Sequence, residues 1–218
     1  MRQGNSCILF DLDGTLLDTA PDMAGALNQL LAERGRHTLT LDAIRPHVSH
    51  GAVALVRLGF NLEPADSGFD ELRARFLDIY ASRVAQDTRL FPGMESLLSR
   101  IEATAKPWGV VTNKPAWLTE PLMSALALHA RAAAVISGDS AARNKPHPDT
   151  LFLACERIGV APDTCLYVGD AERDIEAGKR AGMRTLAAGF GYISDTDQPE
   201  LWGADGIVWH ASEIESWL

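Results

Sequence analysis

Short apolar runs recur through the second half of the chain, separated by stretches whose apolar residues return at helical spacing. The runs are Trp108-Gly109-Val110-Val111-Thr112, Ala134-Val135-Ile136, Cys165-Leu166-Tyr167-Val168, Thr185-Leu186-Ala187-Ala188 and Gly206-Ile207-Val208. The amphipathic stretches cover 94–103, 116–127, 148–158 and 173–181, with Gly159 and Gly182 as stops. Strand-like runs alternating with helices predict a doubly wound α/β core with a parallel sheet from Pro92 onward. One further run, Cys7-Ile8-Leu9-Phe10, stands near the start. Between about Thr19 and Asp87 the pattern changes. Leu27, Leu30 and Leu31, then Leu72, Phe76, Ile79 and Tyr80, keep helical spacing, and β-branched runs are few. Because one strand precedes this stretch and the others follow it, it reads as a helical insertion into the core.

Composition narrows the class. The chain has 218 residues, 46% hydrophobic and 22% charged, enough for one large or two small globular domains. Acidic residues number 29 against 20 basic, and the Lys and Arg are scattered, which argues against a nucleic-acid partner. An anionic substrate stays compatible, since one local Lys and a metal offset a negative field. Cys7, Cys155 and Cys165 form neither a disulfide framework nor a zinc pattern, so a reducing compartment is expected. With no run of eighteen apolar residues there is no membrane partner to expect, and the protein reads as cytoplasmic.

The candidate chemistry sits where the apolar runs end. Asp11 and Asp13 follow the first run, and Gly14 bends the chain after them. Carboxyl ends of parallel strands are where open α/β sheets bind ligands. Two carboxylates there either hold a divalent cation or divide nucleophilic and acid/base work. Thr112 and Asn113 end a second strand, as phosphoryl-oxygen donors or as a plain Asx-type turn. Lys145 stands in Asn144-Lys145-Pro146-His147-Pro148, where two prolines stiffen the backbone. Asp170 ends a fourth strand. Asp174, four residues on, is either a helix-start acid or a partner of Asp170.

Together these residues resemble the four signatures of the haloacid dehalogenase superfamily, in the family's order. They are Asp11-Leu12-Asp13-Gly14-Thr15; a strand ending in Thr112 with Asn113-Lys114; Lys145-Pro146-His147-Pro148; and Gly169-Asp170 followed by Asp174. The resemblance covers essentially the whole chain. It implies an α/β, Rossmann-like core with a doubly wound parallel sheet, residues 1–18 and 88–218, and an inserted α-helical cap, residues 19–87. It implies an Mg²⁺-dependent phosphomonoesterase. Asp11 would be the nucleophile and Asp13 the acid and base. Thr112, Asn113 and Lys145 would hold the phosphoryl group. Asp11, Asp170 and the backbone carbonyl of Asp13 would hold the metal, with Asp174 beside them.

Within that superfamily the layout is similar to phosphoglycolate phosphatases. The segments 108–115, 190–193 and 202–205 resemble the branch that acts on N-acetylmuramic acid 6-phosphate, in cell-wall recycling. Either substrate is a small carboxylated phosphomonoester. The cap segment Arg45-Pro46-His47-Val48-Ser49-His50-Gly51 is the expected specificity loop, with Arg45 or a histidine, His47 or His50, meeting the carboxylate and Ser49 and Gly51 meeting hydroxyls. A mutase of the β-phosphoglucomutase type shares all four signatures and is the alternative. The aromatic residues Phe190, Tyr192, Trp202, Trp209 and Trp217 read as packing for the terminal elements.

Overall fold

The computed structural model describes residues 5–218; residues 1–4 of the expected core lie outside them. Eight strands follow one another as β1 (Cys7–Phe10), β2 (Leu17–Asp18), β3 (Arg89–Leu90), β4 (Trp108–Val111), β5 (Ala134–Ile136), β6 (Cys165–Gly169), β7 (Arg184–Ala188) and β8 (Gly206–Val208). Six of them form a parallel sheet in the order β5-β4-β1-β6-β7-β8. Four helices separate β2 from β3: α1 (Ala20–Glu33), α2 (Leu41–Ile44), α3 (Gly51–Phe60) and α4 (Phe69–Ala81). Four more alternate with the sheet strands: α5 (Met94–Ala103), α6 (Ala116–Ala125), α7 (Asp149–Ile158) and α8 (Glu172–Arg180). Element ends depart from the sequence reading by a residue or two. The largest shift is at α6, which stops at Ala125 because Ala127 turns to φ 56° and its N–H closes on the Ser124 carbonyl.

Side chains alternate across β1, and both faces are covered. Ile8 and Phe10 enter one buried cluster with Val110, Val168 and Leu186, under residues of α5 and α6. Cys7 and Leu9 enter another with Val111, Ile136 and Tyr167, under Leu151 and Ala154 of α7 and Ala177 of α8. A strand buried on both faces has few positions for polar residues, hence the apolar runs. From β1 the strand order runs outward through β4 to β5 on one side and through β6 to β8 on the other. The crevice at the carboxyl ends beside β1 is therefore the topological switch point.

The α1–α4 segment leaves and rejoins the sheet region at one place. β2 and β3 pair antiparallel, Leu17 opposite Leu90 and Asp18 opposite Arg89. Just beyond them, Asp22 in the first turn of α1 is fully buried. Its carboxylate accepts from the backbone N–H groups of Asp87 (2.9 Å) and Thr88 (2.8 Å) and from the Thr88 hydroxyl (2.8 Å). Removing that carboxylate strands buried donors, at about 2–4 kcal/mol in total. Asp22→Ala is expected to lower Tm by roughly 5–10 °C, read by thermal melting; an unchanged Tm would show that the junction is held by other contacts. Helices α1, α3 and α4 pack on one another, and the first apolar cluster continues into them through Leu27, Leu31, Val56 and Phe76.

Candidate active site

Each motif residue emerges at a strand tip of the crevice. Asp11 follows β1, Thr112 follows β4, Asp170 follows β6, and Lys145 lies in the loop from β5 to α7. Asp11, Lys145, Asp170 and Thr112 are all buried. The Lys145 ammonium lies 2.7 Å from Asp11 and 2.7 Å from Asp174, and donates to the Val111 carbonyl (2.9 Å) and the Tyr167 hydroxyl (2.8 Å). Its backbone is clamped as well. The Asn113 side chain accepts from the Lys145 N–H (3.0 Å) and donates to the Lys145 carbonyl (2.9 Å). Asn113 thus positions the Lys145 backbone through its side-chain oxygen and one amide hydrogen, while also lining the cavity over Asp11.

Asp11, Asp170 and Asp174 offer carboxylate oxygens that all lie within 4.8 Å of one another. Asp174 serves two ends at once. One oxygen accepts from the Ala171 N–H (3.0 Å), capping α8, and the other faces Lys145. Asp170 accepts from the Thr15 hydroxyl (3.2 Å), the Tyr192 N–H (3.0 Å) and the Ser49 hydroxyl (2.7 Å). Gly14 is required beside it. Its φ is +88°, and a Cβ there would stand 2.0 Å from an Asp170 oxygen. The Asp13 carboxylate does not join this trio. It faces away, accepting from the Thr19 hydroxyl (2.7 Å) and from Lys114 (2.9 Å), whose ammonium also donates to the Tyr80 hydroxyl of α4 (2.9 Å).

A cavity of about 270 Å³ opens over Asp11, Asp13, Thr112 and Asn113. Across from them it is lined by Val48, Ser49, His50 and Gly51 and by Arg73, Leu77 and Tyr80 of α4. Ser49, His50 and Gly51 thus stand where the sequence placed them. Arg45 and His47 do not line the cavity. The Arg45 guanidinium instead forms a two-point pair with Asp18 (2.9 and 3.0 Å) beside the Tyr192 ring. Asp18 also accepts from the Tyr192 hydroxyl (2.8 Å), so Arg45 fastens the α1–α4 segment at its entry. The cations that do line the cavity are Lys114, Arg73 and Arg173. Arg173 donates to the Ser49 carbonyl (2.7 Å).

Residues 8–188 match the profile of haloacid dehalogenase-like hydrolases. The chain belongs to that family. The N-acetylmuramic acid 6-phosphate phosphatase of Pseudomonas putida is 45% identical over 207 residues, 95% of this chain and 93% of that one. The phosphoglycolate phosphatase of Xanthomonas campestris is 45% identical over 202 residues, 92% and 90%. A crystal structure described as a predicted phosphoglycolate phosphatase from Haemophilus somnus superposes with a TM-score of 0.86 at 25% identity, over 99% of both chains.

Several groups around the site of this hydrolase escaped the sequence reading. Arg173 lies inside the Asp170-to-Asp174 signature and Lys114 inside the Thr112 one, so both were within reach. Tyr80 was read only as an apolar helix position. Its ring does pack against Phe76, and its hydroxyl is the part that reaches Lys114. Tyr167 and Tyr192 contribute hydroxyl and backbone contacts to the site, and Trp209 lays one face against Gly189 while standing half-exposed.

Burial dominates the electrostatics. It pushes Asp11 up to about 6 against the pull of Lys145. It pushes Asp170 up to about 7, with repulsion from Asp11 and Asp174 added. For Lys114 burial opposes the charge, but Asp13 and Tyr80 outweigh it and the pKa rises. A raised carboxyl pKa means that the folded state holds its proton more tightly than the unfolded one. Stability from Asp11 and Asp170 therefore grows as pH falls through 7 and 6. In EDTA the Tm is expected to rise by about 2–4 °C between pH 8 and 6.5, corresponding to about 1 kcal/mol. A flat or falling Tm over that window, by scanning calorimetry, would contradict the assigned environments.

Proposed function

We propose that this phosphatase hydrolyses a small carboxylated phosphomonoester, N-acetylmuramic acid 6-phosphate or 2-phosphoglycolate, through a phospho-Asp11 intermediate and with Mg²⁺. The observation that carries the reading is the pairing of Asp11 and Asp13 at one cavity in opposite settings. Asp11 is buried against Lys145, and Asp13 is held by Lys114 and Thr19. Two carboxylates from one loop then suit two tasks, nucleophile and proton carrier. The named relatives support the substrate class.

The donor set fits Mg²⁺. Three buried carboxylates converge within 4.8 Å, and a hard divalent cation takes oxygen ligands and keeps several waters. Asp11, Asp170 and Asp174 would hold it, and it would supply positive charge beside the phosphoryl oxygens. Asp11 attacks phosphorus; Asp13 protonates the departing alkoxide and then takes a proton from the water that cleaves phospho-Asp11. The Thr112 hydroxyl and Lys145 oppose the charge on the transferred group, which is most of what phosphoryl transfer requires. Residues 19–87 act as a cap. Ser49 on Asp170 and Tyr80 on Lys114 link it to both halves of the chemistry and exclude water.

The test is phosphate release with Mg²⁺ and with EDTA across N-acetylmuramic acid 6-phosphate, 2-phosphoglycolate, hexose phosphates and β-glucose 1-phosphate. Mg²⁺-dependent release that favours a carboxylated ester by orders of magnitude in kcat/KM is expected. Isomerisation of β-glucose 1-phosphate with no phosphate release would replace the phosphatase by a mutase.

A further inference from the structure

Arg73 stands apart from every other arginine of residues 5–218. Each of the others donates a hydrogen bond or forms an ion pair: on the same helical segment Arg34 pairs with Glu71, Arg45 with Asp18, Arg57 with Glu63 and Arg75 with Glu33. Among the described residues Arg73 has neither, yet its side chain lines the catalytic cavity from α4. An arginine on a helix crowded with acids would find one cheaply, since Asp70 lies one turn before it. Its side chain is instead exposed at the cavity's edge, with no partner inside the described residues.

The charges already present have tasks inside the protein. Lys145 is taken by Asp11 and Asp174, Lys114 by Asp13 and Tyr80, and Arg173 by the Ser49 carbonyl next to the acidic trio. His50 is held below its ordinary pKa by partial burial and by Arg173, which weakens it as a partner for an anion. A phosphate dianion and a divalent cation balance one another near Asp11. A second negative group on the substrate then has one free partner in the lining, Arg73. Around it the lining is apolar, with Val48, Val53, Leu77 and Leu118. A cavity of about 270 Å³ approaches the lower end of sites that enclose drug-sized ligands, and exceeds the needs of a two-carbon acid.

Resting on the phosphatase reading above, we infer that Arg73 is the specificity residue that binds the substrate's carboxylate, remote from the phosphoryl group, on a sugar-sized body whose apolar substituents face Val48, Val53 and Leu77. The planar guanidinium fork matches a carboxylate at two points. A phosphomonoester lacking the carboxylate leaves Arg73 solvated, so the gain appears as discrimination between esters.

N-acetylmuramic acid 6-phosphate and N-acetylglucosamine 6-phosphate differ only in the lactyl ether that carries the carboxylate. Their kcat/KM ratio is measured for the wild type, Arg73→Ala and Arg73→Lys, with circular dichroism as the folding check. The wild type is expected to favour the carboxylated ester. Arg73→Ala should lower that preference on the order of 10- to 100-fold, carried by KM, and Arg73→Lys should restore part of it. A wild type that treats both esters alike, or a ratio that Arg73→Ala leaves unchanged, overturns the assignment while the phosphatase reading stands. A wild type that releases phosphate from neither ester, nor from 2-phosphoglycolate, overturns the phosphatase reading and this inference with it.

Discussion

Asp11→Asn is expected to lower kcat by a factor on the order of 10⁴ to 10⁶, the scale of removing a nucleophile from a covalent mechanism. Size is nearly unchanged, and the neighbours have alternatives. Lys145 keeps Asp174, the Val111 carbonyl and the Tyr167 hydroxyl, and the Asp11 backbone N–H still donates to the Val168 carbonyl. Burial already pushes the Asp11 carboxyl up to about 6, so a neutral amide removes an unfavourable charge. The variant's Tm in EDTA at pH 8 is therefore expected to equal or exceed that of the wild type. A folded variant with kcat within tenfold of the wild type would end the case for Asp11 as nucleophile. Loss of activity together with a collapsed Tm would show instead that Asp11 is needed for the fold, which the second readout separates.

The chemistry at the strand tips was legible because it is local. Asp11, Thr112 and Asp170 each follow an apolar run by a single residue or open the turn after it, so finding the strand finds the residue. The parallel sheet followed from the same runs, since strands covered on both faces carry few polar positions. What lay beyond the sequence depends on how the helical segment folds over the sheet. Arg45 and Arg73 are both cations of that segment. Only the packing of α1–α4 decides that Arg45 meets Asp18 and that Arg73 meets the cavity. Asn113 shows a second limit. Its position at a strand end was readable, but its attachment to the Lys145 backbone spans 32 residues and two loops. Lys114 follows the same strand end, where a lysine usually reaches solvent. The approach of Tyr80 from α4 and the carboxylate of Asp13 turn it inward and keep it charged.

Lys145→Met tests the other end of the same balance, and its largest effect is on stability. The ammonium is fully buried and stands 2.7 Å from each of two buried carboxylates. Met fills the space of the stem but leaves Asp11, Asp170 and Asp174 facing one another without their central cation. Removing one partner of a buried ion pair typically costs about 3–5 kcal/mol, because the remaining charge is uncompensated. In EDTA at pH 8 the Tm is expected to fall by roughly 10 °C. The deficit should shrink on acidification, since Asp11 and Asp170, both raised by burial, take up protons and cease to repel. Mg²⁺ at pH 8 should recover part of the Tm by supplying charge to the same trio, and kcat should remain depressed on the order of 10²- to 10³-fold because the transferred group loses a buried donor. A Tm within about 2 °C of the wild type in EDTA would mean that the three acids stand apart or do not repel one another at pH 8, and that Lys145 is not what holds them together.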